Sequence, residues 1–332
     1  MLLHAATSCL AGLDLLFQPR DGAKLTPVLQ SASVMSSTRR TDTPAEYIST
    51  SASSTVGCEG IIQPRRPKLA TVIGNDAPVK EAYSKAGVYL PGVRDFDARD
   101  VTPAEEVDRL AKAPLAHQPG TVWEYGLSVD LLGRVIEAAS GKRLADFLDE
   151  RLFKPLRMND TKFWVVMNQT GRLAQPLAVD SATAQPIKLI DISKEPKNDS
   201  GGAGAVSTAA DYVRFAQMLL NGGQLDGVRV LSRPTVGVMT ADHLGARIAP
   251  GALPTNNPGY TFGLGFAVRV GAGIAGVVGS AGEFTWGGYA GTYFWVNPKE
   301  ELVGIYMSQA PGPLNPYYRR LIKQLVYSAI DD

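Results

Sequence analysis

Residues 119–161 read PGTVWEYGLSVDLLGRVIEAASGKRLADFLDERLFKPLRMNDT, and this stretch decides how the rest of the chain is to be understood. It sets Tyr125 between a Pro119-Gly120 turn and an amphipathic helix. From Ser128 onward Val129, Leu132, Val135, Ile136 and Ala139 recur at helical spacing on one face, and Gly141 stands where a left-handed C-cap is wanted. A second helix follows, with Leu144, Phe147, Leu148 and Leu152 directed inward and Pro155 closing it. A phenol at the mouth of a rigid helix pair can act as a general base or a hydrogen-bond donor. The same tyrosine can equally be a half-buried aromatic whose hydroxyl is simply satisfied.

Bulk properties narrow the field around this segment. The 332 residues suffice for one large domain or two intimate subdomains with an ample core. Apolar residues at 45% and charged residues at 20% describe a globular chain, and a net charge of +1 gives no electrostatic case for nucleic acid or an anionic membrane. No apolar run reaches the roughly 20 residues that span a bilayer. The N-terminus, MLLHAATSCLAGLDLLF, lacks a basic n-region and an unbroken apolar core, so no signal peptide is expected and a cytoplasmic location is. Cys9 and Cys58 are the only cysteines, and His4, His117 and His243 are scattered, so neither a metal site nor a cofactor is expected.

Several motifs together carry a resemblance. W-x-Y at 123–125, a helix ending S-G-K-x-L at 140–144, and F-L-x-E-x-L-F-x-P-L-x-M-x-D-T at 147–161 resemble the serine β-lactamase and penicillin-binding-protein superfamily. The match looks closest to the branch holding class C β-lactamases and family VIII carboxylesterases, and it extends over about residues 69–330. The resemblance implies an α+β fold: an antiparallel sheet flanked by helices, with a helical subdomain. It also implies that Tyr125 works with a lysine to move protons around an acylated serine. The Asn of the family's Y-x-N element is Leu127 here, which is more esterase-like.

Residues 1–68 break the pattern. Between Ser31 and Thr55, thirteen of twenty-five residues are Ser or Thr and no apolar period is sustained, so disorder is the default there. In the resembled family this region carries two sheet strands and a helix with S-x-x-K, whose amine activates the serine one helical turn away. No lysine of this chain has a serine three residues before it. The nearest imitation, Ser36-Ser37-Thr38-Arg39, ends in an arginine that stays protonated and cannot act as a base. We expect the N-terminal strands to be missing and residues 1–68 to replace the family's own start, as a frameshift or mis-splicing would produce. Reading the upstream coding DNA in its other frames tests this, and finding no S-x-x-K helix there would sink it.

Further on, Asp199-Ser200-Gly201-Gly202-Ala203-Gly204 is a turn before a helix capped by Thr208. By resemblance it flanks the active-site cleft, so Ser200 and Gly201 are candidate pocket residues; a loop needing positive φ is the alternative. Gly271-Ala272-Gly273-Ile274-Ala275-Gly276 fits G-x-G-x-x-G, yet the glycine-rich sequence after it cannot supply the helix a pyrophosphate needs, so a hairpin loop is expected. Strands follow at 284–289, 291–296 and 302–309, then a last helix at 316–330 that should present Leu321, Leu325 and Ala329 to the sheet. Trp286-Gly287-Gly288 stands where the resembled family has K-T-G. The glycines would let a substrate carbonyl approach, and the Tyr289 N–H would point into an oxyanion hole. Loss of the K-T-G lysine favours neutral esters over β-lactams, while Trp286 is either pocket wall or core.

The resulting expectation is a serine hydrolase, a carboxylesterase of short-chain esters, whose nucleophile motif is absent from this chain. Tyr125 and Tyr289 are its catalytic candidates; Trp286, Gly287, Gly288, Leu127, Ser200 and Gly201 are its substrate-binding ones. The alternatives are an inactive ligand-binding remnant and an acyltransferase of the same fold. The partner is a small ester or amide; the oligomeric state stays open.

Overall fold

The computed structural model describes residues 77–88, 98–114, 123, 126–180, 182–187, 189–245, 248 and 258–330. Residues 1–68, with Ser36 and both cysteines, lie outside the described residues, and so does Tyr125. The chain runs through helices α1 (Ala77–Lys85), α2 (Pro103–Lys112), α3 (Ser128–Ser140), α4 (Leu144–Leu148) and α5 (Ala209–Leu220). A small hairpin, β1 (Gln224–Leu225) with β2 (Val228–Arg229), and helix α6 (Arg233–Met239) lead into a five-stranded sheet. Its strands are β3 (Tyr260–Phe262), β4 (Ala267–Arg269), β5 (Phe284–Gly287), β6 (Tyr293–Asn297) and β7 (Leu302–Tyr306), and helix α7 (Asn315–Tyr327) follows.

Local chemistry sets the helix ends. Thr102 and Glu105 close a reciprocal capping box on α2, with Pro103 at its first turn. Gly141 ends α3 at φ 68°, the left-handed conformation that a residue without Cβ adopts most easily. Beyond α4 the chain widens into a π-helical turn, Asp149–Phe153, so that Leu152 and Phe153 stay buried. Thr208 caps α5 by accepting from the Asp211 N–H at 3.2 Å.

The sheet is an antiparallel meander whose spatial order follows the chain. The G-x-G-x-x-G stretch lies in the connection between the antiparallel pair β4 and β5, as a hairpin loop. The carbonyls of Gly271 in that stretch and of Val277 and Val278 just after it accept from the buried Arg269 guanidinium at 2.8–2.9 Å. That side chain therefore does the organising that a pyrophosphate would do in a dinucleotide fold.

Strand alternation gives the sheet two distinct faces. Phe294 of β6 meets Tyr212 of α5 at 5.2 Å and Phe266 at 6.0 Å, which places the aromatic core on one side. Tyr293, Trp295 and Asn297 point the other way and meet α7 rung by rung. Arg319 lies over the Tyr293 ring at 5.6 Å, Lys323 over Trp295 at 6.0 Å, and the Tyr327 hydroxyl accepts from Asn297 Nδ2 at 2.6 Å. Four helical residues advance about 6 Å and two strand residues about 7 Å, so the two repeats stay in step.

This register corrects the expected orientation of the last helix. Leu325 is 56% exposed, whereas Lys323 is 1% exposed beneath the sheet. Lys323 pairs there with Glu283, whose carboxylate also accepts from Tyr260 at 3.1 Å and Tyr327 at 2.9 Å. A buried, paired cation thus replaces the apolar contacts that hydrophobic periodicity selects. Among the described residues β7 pairs with β6 alone.

Candidate active site

The two sequence elements expected to form the site meet through their tryptophans. Trp123 is fully buried and packs on Trp286 at 6.3 Å, edge to face, with Phe262 completing the cluster at 5.0 and 5.1 Å. Trp286 is only 7% exposed, so its ring is core that ties the W-x-Y element to β5. Tyr125 itself lies outside the described residues; half-buried Leu127 supplies the N-cap position of α3 without a side-chain cap bond.

Residues 287–292 turn the chain from β5 into β6. Gly288 N–H donates to Thr292 O at 2.8 Å, and Gly291 N–H donates to Gly288 O at 3.1 Å. The Ala290 carbonyl accepts from Ala310 N–H at 2.8 Å and Ser308 Oγ at 3.2 Å. Gly287 faces α7: a Cβ there would fall 2.5 Å from Arg319 Nη1 and 2.6 Å from its Cζ. The glycine is therefore required by close approach of a guanidinium from behind the strand, a reason the sequence does not display. The Tyr289 side chain is half exposed at the tip.

Ser200 and Gly201 sit in the turn that packs against the start of α3. Ser200 is buried, donates its hydroxyl to Asp130 and accepts from Ala203 N–H at 2.9 Å. Gly201 does not have a positive φ; instead a Cβ on it would fall 2.2 Å from the Val129 carbonyl. Both residues weld the 199–204 turn to the first turn of α3. Helix α3 begins at Ser128, three residues after Tyr125 in sequence.

A buried polar network extends this weld, and no local sequence signal announces it. Asp199 accepts from Arg143 Nε at 2.8 Å and Nη2 at 2.9 Å, and caps α4 through Ala145 N–H at 3.0 Å. Arg134 donates to Asn198 and to the Asp199 carbonyl, and Asn198 donates on to Glu106 at 2.8 Å. Burial, reinforced by the Asp130 charge, pushes the Glu106 carboxyl up to about 7 against the opposing pull of Asn198 and Arg134. Burial also raises Asp130 above the usual carboxylate range. A concavity of about 480 Å³ opens beside this network, its lining including Pro103, Lys142, Arg143, Pro196 and Lys197, and it shares no residue with the tryptophan cluster or the 287–292 turn. Among the described residues no group of three or more His, Cys, Asp or Glu could hold a metal ion, and no helix is long and apolar enough to cross a membrane.

The profile of the Beta-lactamase family matches residues 83–327. The chain belongs to the beta-lactamase family. Lovastatin esterase of Penicillium rubens is 30% identical over 250 residues, covering 68% of this chain and 61% of that protein. Esterase EstB of Burkholderia gladioli is 31% identical over 228 residues, covering 62% of this chain and 54% of that protein. Protein Rv1367c of Mycobacterium tuberculosis is 32% identical over 208 residues, covering 60% of this chain and 52% of its own length. The chain thus spans about half the length of the curated relatives it matches. Among solved structures, EstCE1, a hydrolase with promiscuous acyltransferase activity, superposes with a TM-score of 0.69 at 21% identity, over 98% of this chain and 83% of its own. Unliganded, selenomethionyl simvastatin synthase LovD of Aspergillus terreus gives a TM-score of 0.66 at 18% identity, over 99% and 84%. At such identities the likeness establishes the fold: α+β, of the β-lactamase/transpeptidase type.

Proposed function

We propose that this chain carries the acyl-ester site of a carboxylesterase-type serine hydrolase, taking short, neutral esters or amides. The observation that supports it most is the packing of Trp123, the first residue of W-x-Y, on Trp286, the first residue of W-G-G. In this reading Tyr125 exchanges a proton with the attacking or leaving oxygen. The Tyr289 N–H donates to the oxyanion, and Gly288 leaves the turn open to the acyl carbonyl, while Gly287 serves the close approach of Arg319 from behind the strand. Leu127 brings no charge to the cleft, which suits a neutral acyl group over one bearing a carboxylate. The two esterase relatives favour esters in the same direction.

A second reading is ester binding without turnover, and the missing S-x-x-K favours it, since Tyr125 then has no serine to serve. Incubating the purified full chain with a fluorophosphonate and assaying p-nitrophenyl butyrate separates the two. A covalent adduct on one serine with turnover supports hydrolysis, and Tyr125→Phe should then lower kcat/KM about 100-fold. Saturable ester binding without adduct supports the second reading. Turnover unchanged in Tyr125→Phe removes that tyrosine from the mechanism. The cytoplasmic location belongs to the same proposal, and fractionation of cells expressing the tagged chain tests it.

A further inference from the structure

Arg319 reaches the 287–292 turn from α7, on the face of the sheet opposite the aromatic core. Its Nη2 donates to the Gly288 carbonyl at 2.7 Å and to the Thr292 carbonyl at 3.1 Å. The side chain is held in place by the Tyr293 ring at 5.6 Å and fills the space that a Cβ on Gly287 would take. Burial has pulled its pKa below the ordinary arginine value, yet the guanidinium remains charged at any physiological pH.

The consequence follows from peptide geometry. The Gly288 carbonyl and the Tyr289 N–H belong to one planar unit, and the described backbone contains no cis peptide bond. In a trans unit the two dipoles point in opposite directions. Whatever holds the Gly288 oxygen toward α7 therefore turns the Tyr289 N–H away from α7, toward the face where Trp286 and Trp123 pack. Without Arg319 the Gly288 oxygen keeps, among the described residues, the 3.1 Å bond from Gly291 N–H, which lies within the turn and moves with it.

We propose that Arg319 is a positioning residue for the ester site, a clamp that fixes the 288–289 peptide plane and with it the direction of the Tyr289 N–H. The proposal rests on the oxyanion role assigned to that N–H. Arg319 touches no substrate; it acts through the turn. Each clamped carbonyl keeps one backbone donor when the guanidinium is removed, so Arg319→Met should fold, and Arg319→Lys should restore part of the clamp as a single charged donor.

The test uses the isotope-labelled full chain, with backbone amide exchange as one readout and titration with the ethyl butylphosphonate monoanion, an oxyanion mimic, as the other. In Arg319→Met, exchange at Gly288 and Gly291 should rise about tenfold while β6 and α7 amides hold, and phosphonate affinity should fall about tenfold, with Arg319→Lys in between. Unchanged exchange at Gly288 and Gly291 would overturn the clamp. Faster exchange with unchanged phosphonate affinity would overturn its positioning role. If the wild-type chain leaves the Tyr289 amide unshifted by phosphonate, the oxyanion assignment fails and takes the positioning role with it, even where the exchange data confirm the clamp.

Discussion

Two single side chains show how burial, more than residue type, sets what a group contributes. Tyr212 is 1% exposed among Phe215 and Phe294, and among the described residues its hydroxyl has no hydrogen-bond partner. A buried hydroxyl left unpaired has lost water without recompense, so Tyr212→Phe should raise stability by about 1 kcal/mol, read as a higher Tm. A fall in Tm would mean that the hydroxyl is engaged. Glu106 is the titrating counterpart: its folded pKa of about 7 lies above the ordinary value of about 4.3. A carboxyl that holds its proton more tightly when folded contributes fully below about pH 4, and that contribution is lost as pH rises toward 7. The Asp130 and Glu137 charges act with burial here, and Arg134 against it. Glu106→Gln should therefore flatten the denaturation midpoint between about pH 4 and 7 and raise it at pH 8. A slope equal to that of wild type would assign the dependence to another group. Such features leave no trace in sequence, because the partners of Glu106 lie 24 and 92 residues away, at Asp130 and Asn198.

At the scale of elements, the hydrophobic pattern served wherever packing is apolar and failed wherever it is ionic. The α3–α4 pair, the capped α5 and the β5–β6–β7 meander were legible from periodicity, caps and turn residues. The inward face of α7 was not, because Arg319, Lys323 and Tyr327 look like surface residues and form the contact layer. Lys323→Met leaves the Glu283 carboxylate buried without its cation, a loss of about 3–5 kcal/mol that urea unfolding would register. A change under about 1 kcal/mol would show that Tyr260 and Tyr327 suffice to hold that charge. The 199–204 turn carries a comparable constraint of shape. Gly201→Ala drives a Cβ against the Val129 carbonyl and should cost about 1–3 kcal/mol or more while loosening α3. If stability is unchanged, turn and helix are not welded as the contacts indicate. For the site, the W-x-Y and W-G-G elements could be found by resemblance, but the contact between their tryptophans belongs to the tertiary structure.

Across the whole molecule, the sheet separates two kinds of packing. Its core face gathers Trp123, Phe262, Phe266, Trp286 and Phe294 into one apolar cluster that joins the helical part to the strands. Its other face is bound to α7 by charged and aromatic rungs and reaches the 287–292 turn through Arg319. The proposed ester site lies where the helical part, the end of β5 and the proposed clamp from α7 converge. That convergence is the central claim, and it stands apart from whether this chain alone completes a catalytic cycle. Photo-crosslinking tests it most directly: the full chain is irradiated with a short-chain ester bearing a diazirine, and the adducts are mapped by peptide mass spectrometry. The assignment predicts saturable adducts within residues 123–127 and 286–289, competed by unlabelled ethyl butyrate. Adducts confined to other surfaces, such as the concavity at Lys142 and Lys197, or no saturable adduct at all, would contradict it.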